Sequence, residues 1–322
     1  ESESDEEEGR PEEEPQTSNT ELHDLLKCRS MLAKVPIQLI RPATYNEKLK
    51  RKETDRRGKR RQLQDEATRA WNIMVGMYYK AGGIPWRIPR PETALDTFYL
   101  GIGFYRSLDE STLHTSVAQV FNERGYGVVV RGGQADRSDT DRQVHLTKQA
   151  IKDLVLQSLK AYRGEHHHAP ARVVVHKTSQ FNWDEIVGVQ EAAAALVIDY
   201  VDMLSVSRSF VRLFRDGYYP PLRGTVLDVD DRRRLLYTRG SVAFYEEYPG
   251  MYVPRTLMMR FDQTTTSKDD LATEMLRLTK MNWNNCQMDE LMPITIRAAR
   301  QVGDILKHAP EGEIAEHYKY YM

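Results

Sequence analysis

The 322-residue chain carries 46 Lys and Arg against 47 Asp and Glu, a formal net charge of −1, and is long enough for two domains or one large one with a buried core. That balance hides an asymmetry: residues 1–14 hold nine acids and one base, so the remainder is basic by about +7, which suits a phosphate-bearing partner. Cys28 and Cys286 lie far apart and outside any C-x-x-C pair, which excludes a disulfide scaffold and a thiolate zinc site. No apolar run approaches the ~18 residues of a membrane span and no signal peptide opens the sequence, so a reducing cytoplasm is the default expectation.

In chain order, residues 1–20 are rich in Glu, Ser and Pro and are expected to stay disordered. Because the sequence begins with Glu rather than Met, a fragment of a longer protein is one reading. Residues 21–34 have helical spacing through Leu22, Leu25, Leu26 and Leu32. The apolar run Val35–Ile40 predicts a short strand ended by Arg41-Pro42. Lys48–Arg61 is a basic block with nine Lys or Arg, a solvated loop or a contact with nucleic-acid backbone. A helix follows, with Trp71, Met74, Val75 and Tyr78 at helical spacing, stopped by Gly82-Gly83. Pro85–Pro91 reads as a boundary between two domains.

Beyond it, strands are predicted at Phe98–Tyr105, Ser116–Phe121, Gly127–Val130 and Arg172–His176, with helices at Leu146–Tyr162 and Trp183–Tyr200. Strands near Val206–Phe214, Thr225–Val229, Arg234–Tyr237 and Leu257–Phe261 precede two helices near Asp269–Leu278 and Ile294–Lys307. The expected fold class is α/β on a mixed sheet.

His23 and Lys27 are four residues apart, on one face of their helix; Gln38 follows at the end of the apolar run, and Lys80 sits in the last turn before Gly82. Two ammonium groups and an amide at one point would bind a phosphate, but the spacing alone equally fits a solvated face.

Longer motifs add to this. The segments His23-Asp24-Leu25-Leu26-Lys27, Pro36-Ile37-Gln38 and Tyr78 to Trp86 resemble the pocket of the Argonaute MID domain that holds the 5′ end of a guide strand. Leu278 to Asn284, Pro293-Ile294-Thr295 and Ala298-Ala299-Arg300 resemble the C-terminal signature of the Argonaute PIWI domain, an RNase H-like fold. The resemblance runs from His23 to Met322 and is nearest to catalytically inactive prokaryotic Argonautes. It implies a partial Rossmann-like MID portion at 21–91 and a PIWI domain at 92–322. It also implies a 5′-phosphate site at His23, Lys27, Gln38 and Lys80, with Mg²⁺ or another divalent cation held partly by the terminal carboxylate of Met322. Arg223, Lys280 and Asn282 would contact nucleic-acid backbone. The implied partners are a small guide, RNA in many inactive relatives, a complementary DNA target, and an associated nuclease or other effector acting in defence against foreign DNA.

Active members place acids, or a final His, where this chain carries Gly103, Thr178 and Arg300. A two-metal site needs anionic oxygen ligands, which none of these three supplies. A fourth carboxylate would fall between Gly103 and Thr178; Asp136, Asp139 and Asp141 are candidates with no clear match. Asp184 and Glu185 read as acids complementing a helix start. The expectation is a binder without intrinsic cleavage; an endonuclease with a rearranged metal site and a truncated remnant remain as alternatives. His166-His167-His168 reads as a charged surface loop, and Tyr318, Tyr320 and Tyr321 as packing groups.

Overall fold

The computed structural model describes residues 17–46, 64–89, 94–120, 127–217, 220–244, 248, 252–284, 288, 290–309 and 314–322. The acidic run before Thr17, the basic block Lys48–Arg61, Pro91, Phe121, Pro249-Gly250-Met251 and Cys286 lie outside them.

An eight-stranded mixed sheet forms the centre, in the order β3-β2-β1-β6-β7-β10-β9-β8. Its strands are β1 (Thr97–Arg106), β2 (Leu113–Val120), β3 (Gly127–Gln134), β6 (Arg172–Lys177), β7 (Tyr200–Arg208), β8 (Val226–Asp230), β9 (Arg233–Leu236) and β10 (Leu257–Gln263). β1, β6 and β7 are parallel and the other pairings antiparallel. A small ribbon, β4 (Asp136–Arg137) with β5 (Val144–His145), stands beside the sheet.

Side chains alternate across the central strands, as a period of two requires. Phe98, Leu100, Ile102, Val173, Val175 and Met203 face α4 (Lys148–His166) and α5 (Trp183–Ala194). Tyr99, Val174, Leu204 and Val206 enter a second cluster with α6 (Lys268–Leu278) and α7 (Ile294–Leu306). That second cluster also takes Cys28 and Met31 from α1 (Thr17–Leu32), and Val75 and Tyr79 from α3 (Glu66–Lys80). Four helices start on side-chain caps: Asp65 accepts from Thr68 N, Thr147 from Ala150 N, Asn182 from Glu185 N and Ser267 from Asp270 N. α4 ends at His166 with His167 left-handed, so the histidine run closes a helix.

Several expectations are corrected. α1 starts at Thr17, so 17–20 are helical. Val35–Ile40 joins no strand: Pro36 has no N–H, no strand among the described residues lies beside the run, and the Ile37 carbonyl accepts from Lys27 Nζ instead (2.5 Å). A four-residue helix, α2 (Pro42–Tyr45), follows. Of the periodic apolar residues in α3 only Val75 is buried; Trp71, Met74 and Tyr78 are exposed. α5 stops at Ala194, not Tyr200, because Val197 turns left-handed (φ 57°) while Ile198 N donates to Ala193 O. A β-branched residue in that conformation is a genuine outlier, where glycine is the usual signal. β7 likewise ends at Arg208, and 209–214 form no strand.

β1 and α7 meet most closely at Gly101, where an added Cβ would overlap the Thr295 main chain, with its Cα at 3.0 Å. Gly101→Ala is therefore expected to lower stability by about 3 kcal/mol, the upper part of the overpacking range, because backbone cannot step aside. The urea midpoint should fall at unchanged slope; an unchanged midpoint would mean that β1 and α7 separate freely.

Candidate nucleic-acid interface

Four chain segments converge on one polar cluster, in which Lys27, Lys80 and Met322 are buried and Gln38 is exposed. Lys27 projects from the middle of α1, Gln38 from the extended run after it and Lys80 from the last turn of α3, and Met322 supplies a main-chain oxygen. Lys27 Nζ donates to the oxygens of Ile37 (2.5 Å) and Met322, and Lys80 Nζ to Gln38 Oε1. Lys27 and Lys80 are 1% and 6% exposed. Burial, and then the neighbouring Lys80 charge, hold the Lys27 ammonium down at about 7; burial also lowers Lys80. His23 instead pairs with Asp24, Nδ1 to Oδ1 at 2.9 Å.

Aromatic bracing sets the position of these groups. Tyr79 stacks on Trp283 with ring centroids 4.5 Å apart. Trp283 Nε1 donates to Trp86 O (3.2 Å) and Trp86 Nε1 to Lys280 O (3.1 Å), so the chain just past α3 is tied twice to the 280–284 segment. At the other side Gln301 of α7 donates to Tyr321 O (2.8 Å) and accepts from Tyr318 Oη (3.0 Å), fixing the tail that presents Met322. Tyr318 and Tyr321 are buried, as packing groups should be.

A hard cation prefers oxygen ligands. The cluster offers Met322 and Gln38 oxygens, each already accepting from an ammonium, and among the described residues no three His, Cys, Asp or Glu side chains converge as a metal cage. These residues fit a divalent cation only where a phosphate contributes further oxygens.

Gly103 is buried on β1 opposite Ser116, Thr178 is exposed just past β6, and Arg300 is exposed on α7. Asp141 lies near this end in a different role. It accepts from His145 Nε2 (2.8 Å), whose Nδ1 meets Glu185 Oε2 (3.1 Å). Glu185, fully buried, also accepts from Lys177 Nζ at 2.5 Å through both oxygens, from Leu146 N and from Asn182 N. Burial pulls the Lys177 ammonium down while Glu185 opposes it. Beneath, burial holds His176 at about 3, beside Thr295 Oγ1 at 2.9 Å.

Sequence reasoning recognised the helix-start role of Glu185 and missed its ion pair with Lys177. It also missed Arg172, whose guanidinium bridges Asp202 (2.7 Å) and Glu274 (2.6 Å) between the parallel strands and α6. Both pairs join residues whose partners come from different elements, so only the buried charge within a Val-rich strand signalled them.

The three residues expected at a nucleic-acid backbone differ in their surroundings. Arg223 Nη1 donates to Met288 O (3.3 Å), while its buried Nε has no hydrogen-bond partner. Lys280 Nζ donates to Thr238 O (2.7 Å). Asn282 is 1% exposed, donates to Glu290 Oε1 (3.1 Å) and accepts from Asn284 N (3.2 Å), which makes it an internal brace of its loop.

No protein-family model matches the chain, and no curated protein matches it by sequence. Solved structures do. Clostridium butyricum Argonaute bound to a guide DNA (5′ deoxycytidine) and a 19-mer target DNA superimposes with a TM-score of 0.67 at 16% identity, over 90% of this chain and 36% of that one. The crystal structure of Drosophila Piwi gives 0.67 at 15%, over 94% and 40%. The fold is thus Argonaute/Piwi-like, and this chain spans well under half the length of either structure.

A phosphate dianion entering the lysine cluster would stabilise the Lys27 ammonium and draw a proton from solvent. As pH falls from about 8 to about 6.5, affinity for a 5′-phosphorylated strand should rise, whereas a 5′-hydroxyl strand should show no such change beyond its general salt response. Calorimetry in buffers of different ionisation enthalpy should register proton uptake; none would mean that Lys27 does not meet the phosphate.

Proposed function

We propose that this chain is the guide-anchoring part of an Argonaute-like protein that binds a 5′-phosphorylated guide and pairs it with a target without cutting it. The observation that carries the reading is the convergence of Lys27, Gln38, Lys80 and Met322 in one cation-rich cluster whose two lysines are buried. Two partly desolvated ammonium groups side by side repel each other, and an anion between them relieves that repulsion. The lysines act as point charges on phosphate oxygens and Gln38 as a neutral donor after its amide turns. His23, one helical turn before Lys27, stands where it would meet the first nucleotide once released from Asp24. Met322 and the phosphate together would hold a divalent cation, which supplies further neutralisation of charge.

The absence of cleavage is read from Gly103, Thr178 and Arg300, since hydrogen, hydroxyl and guanidinium offer no anionic oxygen to a metal. Base pairing would select the target while the protein holds the backbone. RNA as guide and DNA as target follow the sequence resemblance; the guide and target DNA bound to the Clostridium butyricum protein support the ligand class. Action against foreign DNA in the cytoplasm would come from occupancy or from a recruited effector.

The test compares matched strands with 5′-phosphate and 5′-hydroxyl ends, as RNA and as DNA, in Mg²⁺ and in chelator, while following a labelled complementary target. Tighter binding of the phosphorylated strand, at least tenfold for a charge-assisted contact, with an intact target is expected. Cleavage in Mg²⁺ or Mn²⁺ would overturn the non-cutting reading, and equal binding of both ends would overturn the anchor.

A further inference from the structure

The segment after β7 reads Arg208-Ser209-Phe210-Val211-Arg212-Leu213-Phe214-Arg215, with cations and aromatics interleaved. It is irregular but well held: Ser209 N donates to Thr256 O (3.0 Å), Thr256 Oγ1 to Val211 O (3.0 Å), Arg212 Nε to Val253 O (3.0 Å) and Leu213 N to the buried Tyr237 Oη (2.8 Å). These bonds lay 209–213 alongside 253–256, and the rings remain outside. Phe210 is 76% exposed, Phe214 87% and, beside Val253, Tyr252 78%. The Arg255 guanidinium lies 4.7 Å from the Phe210 ring centroid.

A surface that exposes large rings on a fixed backbone marks an interaction site, and the surrounding charge identifies its partner. From Val206 to Gly217 there are three Arg and one acid, Asp216, and Tyr252–Thr256 adds Arg255 with no acid. Among the described residues no carboxylate pairs with Arg208, Arg212 or Arg255. Ring faces stack on nucleobases regardless of sequence, while guanidinium groups take the phosphates between them. Bases in a duplex are already stacked on one another, so the matching ligand is an unpaired strand.

We infer that the ridge formed by Phe210, Phe214, Tyr252 and their arginines is a base-stacking platform for single-stranded nucleic acid. It shares only its ligand class with the proposed function and does not require the phosphate pocket. Its arginines hold the backbone at this ridge while the two phenylalanines each take a base.

The test uses a 5′-hydroxyl oligothymidylate, which lacks the terminal phosphate, and an abasic strand with the same number of phosphates, by fluorescence anisotropy at one salt concentration. Wild type should bind the oligothymidylate about tenfold or more tightly over the abasic strand, as stacking of one or two bases allows. Phe210→Ala with Phe214→Ala should erase that ratio, Phe210→Trp with Phe214→Trp should keep it, and circular dichroism should be unchanged because these side chains support no core. Equal binding of the two strands by wild type, or an unchanged ratio in the alanine variant, would overturn the platform. So would a doubling of mass in sedimentation that the alanine variant abolishes, which would assign the ridge to a second copy of the chain. The 5′-end comparison reads the phosphate pocket separately, so either site can fail alone.

Discussion

Two ammonium groups drawn out of water at one point impose the main constraint on this molecule. Desolvation and mutual repulsion both work against their charge, and only a few oxygens answer: Ile37 and Met322 for Lys27, and Gln38 for Lys80. Holding that arrangement requires α1, the extended run, α3 and the C-terminal tail to arrive together, and each is secured against the sheet through α7 or the 280–284 segment. The sheet thus serves as the platform on which an energetically uncomfortable cluster is assembled.

The central parallel strands follow another logic. Where charge is buried near β6 it is neutralised internally, Lys177 by Glu185 and Arg172 by Asp202 with Glu274. Glu185 meets so many donors that it is committed to joining α5, β6 and the β4–β5 ribbon. The lysine cluster meets its positive charge with neutral oxygens alone, whereas the charges of the central strand are met by carboxylates.

The sheet was legible because β1 carries Phe and Tyr around Leu100 and Ile102, β6 a Val run and β10 Leu and Met, and α6 and α7 have clear starts and apolar stripes. Lys27, Gln38 and Lys80 were legible through their longer motifs; spacing alone left them as surface residues. The failures have physical causes. Val35–Ile40 has the composition of a strand, yet a strand exists only with a partner. The end of α5 was hidden because Val197 adopts a conformation that sequence reasoning reserves for glycine. Asn282 was assigned to phosphate because its amide can donate, and the fold uses that amide to brace its own loop.

The hydrogen bond from the Trp283 indole to the Trp86 carbonyl has an optical consequence. Of the four tryptophans, Trp71 and Trp183 lie open to solvent, whereas Trp283 is sealed against Tyr79 at the root of α3. Emission from the open pair is already red and changes little, so a blue component belongs to Trp283 and the half-buried Trp86 packed beside the same core. Its loss would report α3 lifting from the sheet, giving the protein an intrinsic fluorophore for the integrity of its lysine cluster.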